Sequence, residues 1–535
     1  MLRAASIFGE VFWRGGLLAL TGGDYKASEV DDWLADLAKR EIVQRRDVSR
    51  FPSDHEYQFR HALVRDAAYQ MLTQEDRMLG HKLAGEWLEK AGEHDAMMLA
   101  EHFERGQVLD KAAKHFARAA EQALEGNDFG AVRIRVDRAI QAGARGPVLG
   151  KLELLAAEAS RWSAEHDVAL QHARCATQNL EHGGDDWHHA VAEAVEAAMT
   201  LGHVAEADSL AHRIRELEVT PKTMTPARVI AMARIASRLV VTGSIESAVA
   251  TVSLIESEAN QLLEREPAAR GFLLVARVAL AMWHGDIEKA ASFAAEASRF
   301  FSEVGDVRNA ARMDENAGFA LLQLGAFQRA EIALKEALGS AERLGLLMLV
   351  NQAKLHLGQL YSRMLRREEA VSILSDVIRG FAEQQDRVGE GLARIYLAGV
   401  SHLHREHAAG AAAGEESLAF LESSPPYRAS VLGLLSLMRA DDGDVEGAHA
   451  AGVEAMKILE TYGGSIEGEA FIYIGHAEGL RAKGDIEGSK KAIAVARDRL
   501  LARAAKIENA DLRKAFMENL REHQRILLRA GEWLV

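Results

Sequence analysis

Six short segments of this 535-residue chain repeat one another at a nearly fixed interval. They are GHVAEADSLA from Gly202, GSIESAVATV from Gly243, GDIEKAASFA from Gly285, GAFQRAEIAL from Gly325, GDVEGAHAAG from Gly443 and GDIEGSKKAI from Gly484. The first four glycines lie 41, 42 and 40 residues apart, and the last two 41 apart. The 118-residue gap from Gly325 to Gly443 holds two further members, LRREEAVSIL and HREHAAGAAA, with Arg366 and Arg405 at the glycine position. Upstream, Gly126 and Ala164 continue the series at intervals of 38. Such a period means a linear array, in which each unit buries its apolar face only against its neighbours.

The chemistry of each unit predicts two helices. Glycine supplies the left-handed conformation that closes a helix. Asp286, Asp444, Asp485 and Ser244 follow it as caps for the next helix. Five residues after the glycine comes alanine, at Ala131, Ala169, Ala207, Ala248, Ala290, Ala330 and Ala448, which lets the paired helix approach closely. A ~40-residue unit then holds two helices of about 17 residues, each ~26 Å long. Only 7 prolines and 6% aromatic residues agree with helix nearly throughout and exclude a β-sandwich or barrel. The expected fold is all-α, a helical solenoid with a concave face that resembles the tetratricopeptide repeat family, preceded by a small module containing one β-hairpin. The boundaries expected are 1–95 for that module and its connecting helix and 96–535 for about ten repeats. Pro221, Pro226 and the Pro425-Pro426 pair fall at unit junctions.

The module reads as helix, hairpin, helix. Val30, Trp33, Leu34 and Leu37 line one face of a helix over 30–39. Ile42-Val43 and Tyr57-Gln58-Phe59 bracket a polar turn and read as a hairpin. The next helix runs without interruption from Ala62 to Ala91. Met1 leads straight into amphipathic sequence (Leu2, Ala5, Ile7, Phe8), which suggests a chain that begins inside a domain.

Net charge of -15 disfavours extended contact with nucleic acid. The basic cluster Lys39, Arg40, Arg45, Arg46 and Arg50 would suit a DNA-contacting wing, yet residues 1–90 hold 13 Lys+Arg against 15 Asp+Glu, which favours a solvated or docking face. The single cysteine, Cys175, excludes an internal disulfide and fits a reducing compartment. Glu10 and Arg14 interrupt the apolar N-terminus before it could span a bilayer, so a cytoplasmic protein without a membrane contact is expected.

The repeats resemble the tetratricopeptide family in a longer form. The runs LRAASIFGEVFW, LAKREIVQRR, YQFRHALVRDAAYQML and RMLGHKLAGEWLE look like the winged-helix end of the nucleotide-binding module in bacterial STAND-type signalling ATPases. In these a P-loop ATPase, often fused to a kinase or cyclase domain, precedes a tetratricopeptide arm. The resemblance implies a non-catalytic sensor arm that binds a protein or peptide partner on the solenoid and signals to an ATPase domain, in cis or in trans. The alternatives are a free-standing tetratricopeptide scaffold and a winged-helix transcription regulator. No Walker A loop occurs: Gly410-Ala-Ala-Ala-Gly414-Glu415-Glu416-Ser417 has the wrong spacing and carboxylates where the lysine belongs, and reads as helix packing. ATP or ADP would therefore enter only through the ATPase domain, with no cofactor held by this chain. The resemblance also places His61, aided by Arg60 or Arg65, on the phosphate of that nucleotide, although Ala62 stands where the family motif has an acid. A histidine that packs or caps the hairpin–helix junction accounts for the same position. His188-His189 beside Asp185-Asp186, and His402, His404 and His407, read as surface or repeat-junction histidines, and no nucleophile–base pair stands out.

Overall fold

The computed structural model describes residues 1–22, 27–220, 222–422 and 424–535 and divides into two compact units. One comprises 1–160 with 171–190, the other 161–170 with 191–535. Pro221 lies outside the described residues.

The first unit opens with α1 (Leu2–Ser6), β1 (Val11–Trp13), α2 (Arg14–Leu20), α3 (Ala27–Lys39), β2 (Val43–Arg45), β3 (Glu56–Phe59), α4 (Ala62–Gln70) and α5 (Gln74–Ala91). The expected hairpin forms, with Val43 opposite Phe59. Its second strand also pairs with β1, Phe12 opposite Tyr57, giving an antiparallel sheet of order β1-β3-β2. Strand β1 has no signature in the sequence, because three residues inside an apolar run carry no period. Packing decides it: Phe12 stacks on Tyr57 at 5.8 Å, and Trp13 Nε1 donates to the buried carboxylate of Glu56 at 3.1 Å. A second difference lies between Ala62 and Ala91, where two helices replace one. Thr73 breaks the run, its hydroxyl accepting from Asp76 N–H at 3.1 Å, with Glu75 and Asp76 in the first turn.

Helical hairpins follow. They are α6 (Ala96–Arg105), α7 (Leu109–Glu125), α8 (Phe129–Gln141), α9 (Gly146–Trp162), α10 (His166–Asn179) and α11 (Asp185–Thr200), the last three crossing the division between the units. The second unit continues with α12 (Val204–Arg215), α13 (Pro226–Val241), α14 (Ile245–Glu258), α15 (Asn260–Leu263), α16 (Pro267–Trp283) and α17 (Ile287–Glu303). Next come α18 (Val307–Gln323), α19 (Phe327–Arg343), α20 (Leu347–Arg363), α21 (Arg367–Glu383), α22 (Arg387–Leu403) and α23 (His407–Leu418). It ends with α24 (Pro425–Asp442), α25 (Val445–Tyr462), α26 (Glu469–Ala482), α27 (Ile486–Ala505), α28 (Ala510–Glu518) and α29 (Arg521–Trp533).

The repeat has a finer grain than its ~40-residue sequence period. From Gly285 to Arg405 a residue with positive φ closes every helix at 20-residue intervals: Gly285, Gly305, Gly325, Gly345, Leu365, Gln385 and Arg405. The residue after each donates its N–H to the carbonyl five residues back, as Asp306 does to Phe301 and Asp386 to Phe381, which ties off the helix end. Gly202, Gly243, Gly443 and Gly484 share this conformation, as does Ala164. Two expected positions shift by one residue: Leu365, not Arg366, and Asn127, not Gly126, carry the positive φ. Asp286, Asp444 and Asp485 cap as expected, whereas the Ser244 side chain makes no capping bond. Ala169, Ala207, Ala248, Ala290, Ala330 and Ala448 are buried, while Ala131 is only partly so.

These features build a tetratricopeptide-like all-α solenoid. The inner helices α18, α20, α22, α24 and α26 pack on one another in succession, and α17, α19, α21, α23 and α25 form an outer layer packed on them. The C-terminal segment returns to the start of this array. Glu288 in α17 accepts from the backbone N–H groups of Glu508 and Asn509, and Ser465 N–H donates to Trp283 O at 2.9 Å. Asn519 donates to Gly325 O at 2.9 Å. Gly325 is doubly required there, since its φ is +73° and a Cβ would lie 2.7 Å from Ala515 O. No helix of the described residues is long and apolar enough to cross a membrane.

Candidate ligand-binding site

Polar residues on successive inner helices meet because they occupy corresponding places in successive repeats. Glu193 in α11 reaches Arg234 in α13 across 41 residues, and Glu315 in α18 reaches His356 in α20 across the same interval. The second pair is buried. Burial opposes charge on His356, yet Glu315 beside it raises the imidazole above its ordinary value.

Further along this face the inner helices and the returning C-terminal segment enclose a cavity of about 280 Å³. Leu392, Ile395, Val431, Leu434 and Phe471 form its apolar walls. At one end Glu467, in the turn before α26, accepts from Tyr396 OH at 2.5 Å and from Gln359 Nε2 at 2.8 Å. Ser430 OH donates to the Glu467 carbonyl and fixes that turn. Elsewhere on the lining Arg363 pairs with Glu522 at 2.7 Å, and Arg525 grips both oxygens of Asp441 at 2.9 and 3.1 Å.

Electrostatics fix the state of these groups. Burial, reinforced by the Glu467 charge, holds Tyr396 and Tyr427 protonated far above the phenol range. Burial opposes ionisation of Glu522, but Arg363 overrides it and lowers the carboxyl below its usual value. The lining therefore offers protonated phenols, paired ions and apolar surface. Such a lining offers hydrogen-bond donors, charge and apolar contact side by side.

His402 and His407 come together at the junction of α22 and α23, Nδ1 to Nδ1 at 3.0 Å, with Asp441 3.7 Å from His402 Nε2. Their ligand atoms fall within 4.8 Å of one another, close enough for a cation, but Arg525 already occupies the carboxylate. His404 is not part of this group. In the first unit His188 is buried, its ring 5.5 Å from Trp187.

His61 sits at the N-cap position of α4 in extended conformation, exposed, and its side chain makes no capping bond. Arg60 turns to Glu41 at 3.3 Å and Arg65 to Asp66 at 2.6 Å. Leu63 in α4 and Met71 at its C-cap, 83% and 69% exposed, leave an apolar face there. Of the basic cluster, Arg40 pairs with Asp36, Arg46 with Glu56 and Arg50 with Glu93, so three of its five cations are already neutralised. Gly410 and Gly414 lie in α23 as packing glycines, where a Cβ on Gly414 would meet Leu435 at 2.7 Å.

Sequence reasoning missed the cavity residues, which come from α20, α22, α24, α26 and α28–α29 and converge only through superhelical closure. A trace was available: Gln323, Gln359 and Tyr396 stand about one repeat apart, and all three donate to Glu467.

No family model matches the chain, and no curated protein matches it. Among solved structures it is similar to a Rap protein complexed with Competence and Sporulation Factor, at 10% identity over 65% of this chain and 100% of that one, TM-score 0.47. It is similar also to a signal transduction ATPase with numerous domains (STAND) with a tetratricopeptide repeat sensor from Pyrococcus horikoshii. There the identity is 14% over 78% of this chain and 62% of that one, TM-score 0.47, so the chain spans about three fifths of that protein's length. A third is the Rap conjugation gene regulator of the plasmid pLS20 in complex with a Phr peptide, at 12% identity over 71% and 98%, TM-score 0.41.

Proposed function

We propose that this chain is a non-catalytic sensor arm that takes a peptide or protein segment into the cavity between its inner helices. The observation that carries the reading is the origin of the cavity wall. Residues of α20, α22, α24, the α25–α26 turn and α28–α29 share one cavity of about 280 Å³. A side chain inserted there adds to the Glu467 and Glu522 bonds that already join non-adjacent helices, so binding stiffens the array as a whole.

On this reading the first unit is the output module, passing the signal to an ATPase domain in cis or in trans. Its order of helix, strand, two helices and two strands is that of a winged helix and supports the assignment. The exposed Leu63 and Met71 beside His61 supply an apolar docking face, with His61, Arg60 and Arg65 at its rim for a nucleotide held by that domain.

A random peptide library displayed on phage and selected against the full chain tests the sensor reading, with hydrogen exchange used to map each recovered peptide. Slowed exchange is expected in residues 392–403, 427–434 and 467–471. Failure to recover a binder, or protection confined to α17, α19, α21, α23 and α25, would refute it.

A further inference from the structure

A second polar cluster lies at the other end of the inner face, among α9, α11, α13 and α18. Glu193 and Glu196 are buried, and three guanidinium groups share them. Arg234 Nη2 lies 2.8 Å from Glu193 and 2.5 Å from Glu196. Arg161 Nε lies 2.8 Å from Glu193 and 3.5 Å from Glu196, and Arg238 Nε 3.4 Å from Glu196. A fourth, Arg312, feels the charge of Glu196 but has no ion pair within 4.0 Å among the described residues, and its wholly buried Nε has no acceptor. Burial, with the repulsion of Arg238, Arg161 and Arg234, pushes Arg312 down to about 10, so it stays charged at neutral pH.

A second buried donor is unsatisfied beside Arg161 of this cluster. The indole of Trp162 is 3% exposed, its ring lies 4.5 Å from the Arg161 guanidinium and 5.6 Å from that of Arg308, and its Nε1 has no acceptor among the described residues. His166, also facing this cluster, is lowered chiefly by burial and then by Arg238, while Asp386 at the N-cap of α22 opposes that shift. Asp386 is engaged in capping Gly389 N–H at 2.9 Å. Two buried donors of this region, Arg312 Nε and Trp162 Nε1, thus lack an acceptor among the described residues. A buried guanidinium or indole N–H without an acceptor is costly.

We infer that Arg312, Arg238 and Trp162 together form a binding site for a small oxyanion of the carboxylate or phosphate class. Guanidinium groups suit that geometry because they present paired N–H donors to two oxygens at once. The inference is independent of the cavity between α20 and α29, whose residues it does not use.

Thermal unfolding of the full chain in inorganic phosphate, in acetate and in chloride at equal ionic strength tests it. A C-terminal carboxylate peptide and its amide form a further arm, which separates free anion from a chain terminus as the source. Phosphate or acetate is expected to raise Tm beyond chloride, and Arg312→Gln to weaken the apparent affinity at least tenfold. Arg238→Gln, as a second variant, is expected to weaken it as well and covers the case in which Arg312→Gln does not fold. Equal Tm in all three salts, or an undiminished anion response in the folded variants, would overturn the inference. A rise in Tm of Arg312→Gln in chloride with no anion response in the wild-type chain would do so too.

Discussion

Glu196→Gln is expected to cost the second unit about 3–5 kcal/mol in denaturant unfolding, the range for stranding buried charge by removing one partner. The Glu196 side chain is 6% exposed and stands between Arg234, Arg161 and Arg238. Burial opposes its ionisation, yet the guanidiniums hold its carboxyl well below the usual range. The amide keeps the volume and removes the charge, leaving Glu193 to face three arginines with Arg312 close by. Glu369→Gln provides the contrast. Its bond to Arg366 lies at the solvent surface, and its loss is expected to leave the denaturant midpoint unchanged. A midpoint for Glu196→Gln within error of wild type would show that the cluster is slack rather than holding α11 against α13.

Acid is expected to unfold the first unit steeply below pH 6.5. His81 in α5 and His102 in α6 lie Nδ1 to Nδ1 at 3.1 Å, and Tyr69 OH bonds His81 Nε2 at 2.8 Å. Burial, then the proximity of His102, Arg105 and Arg77, pushes His81 down to about 3, and burial with Arg105 pushes His102 down to about 4. Both stay neutral in the fold at pH values where the unfolded chain, near 6.5, already takes up protons. Since the unfolded state binds more protons in this window, stability falls with falling pH from about 6.5 toward about 4 and levels off below the folded values. Each histidine contributes about 1.4 kcal/mol per pH unit in that window, and the pair about 2.7. Urea midpoints followed by the fluorescence of the tryptophans from pH 7 to 4.5 read this directly. Substituting His102 by Gln should remove about half of the slope, and an unchanged slope would contradict the assignment.

Residue type marks some elements of this fold and leaves others unmarked. Gly243, Gly285 and Ala290 announce the turns and the close-packed outer helices, because backbone conformation and small size restrict residue type there. Leu365 and Asn127 hold the same left-handed turn without glycine, and only the backbone reveals which neighbour bears it. Strand β1 was hidden because Val11, Phe12 and Trp13 become a strand only when Tyr57 and Glu56 lie beside them. The Arg234–Glu193 contact was within reach of the repeat period, since it joins residues one unit apart. Tyr396 and Glu467 were not: 71 residues separate them, and the turn that carries Glu467 reaches α22 only when the solenoid curves back on itself.

The most direct test of a ligand-accepting cavity fills it. Gly399 lines the cavity from α22, and a Cβ there would touch only Leu434, at 3.8 Å, so Gly399→Leu grows into the empty volume while gaining helix propensity. Calorimetric titration of a selected peptide into both proteins decides the question. Binding to the wild-type chain, with at least a tenfold loss in a Gly399→Leu variant whose Tm is undiminished, is the predicted result; equal affinity for the two would contradict it.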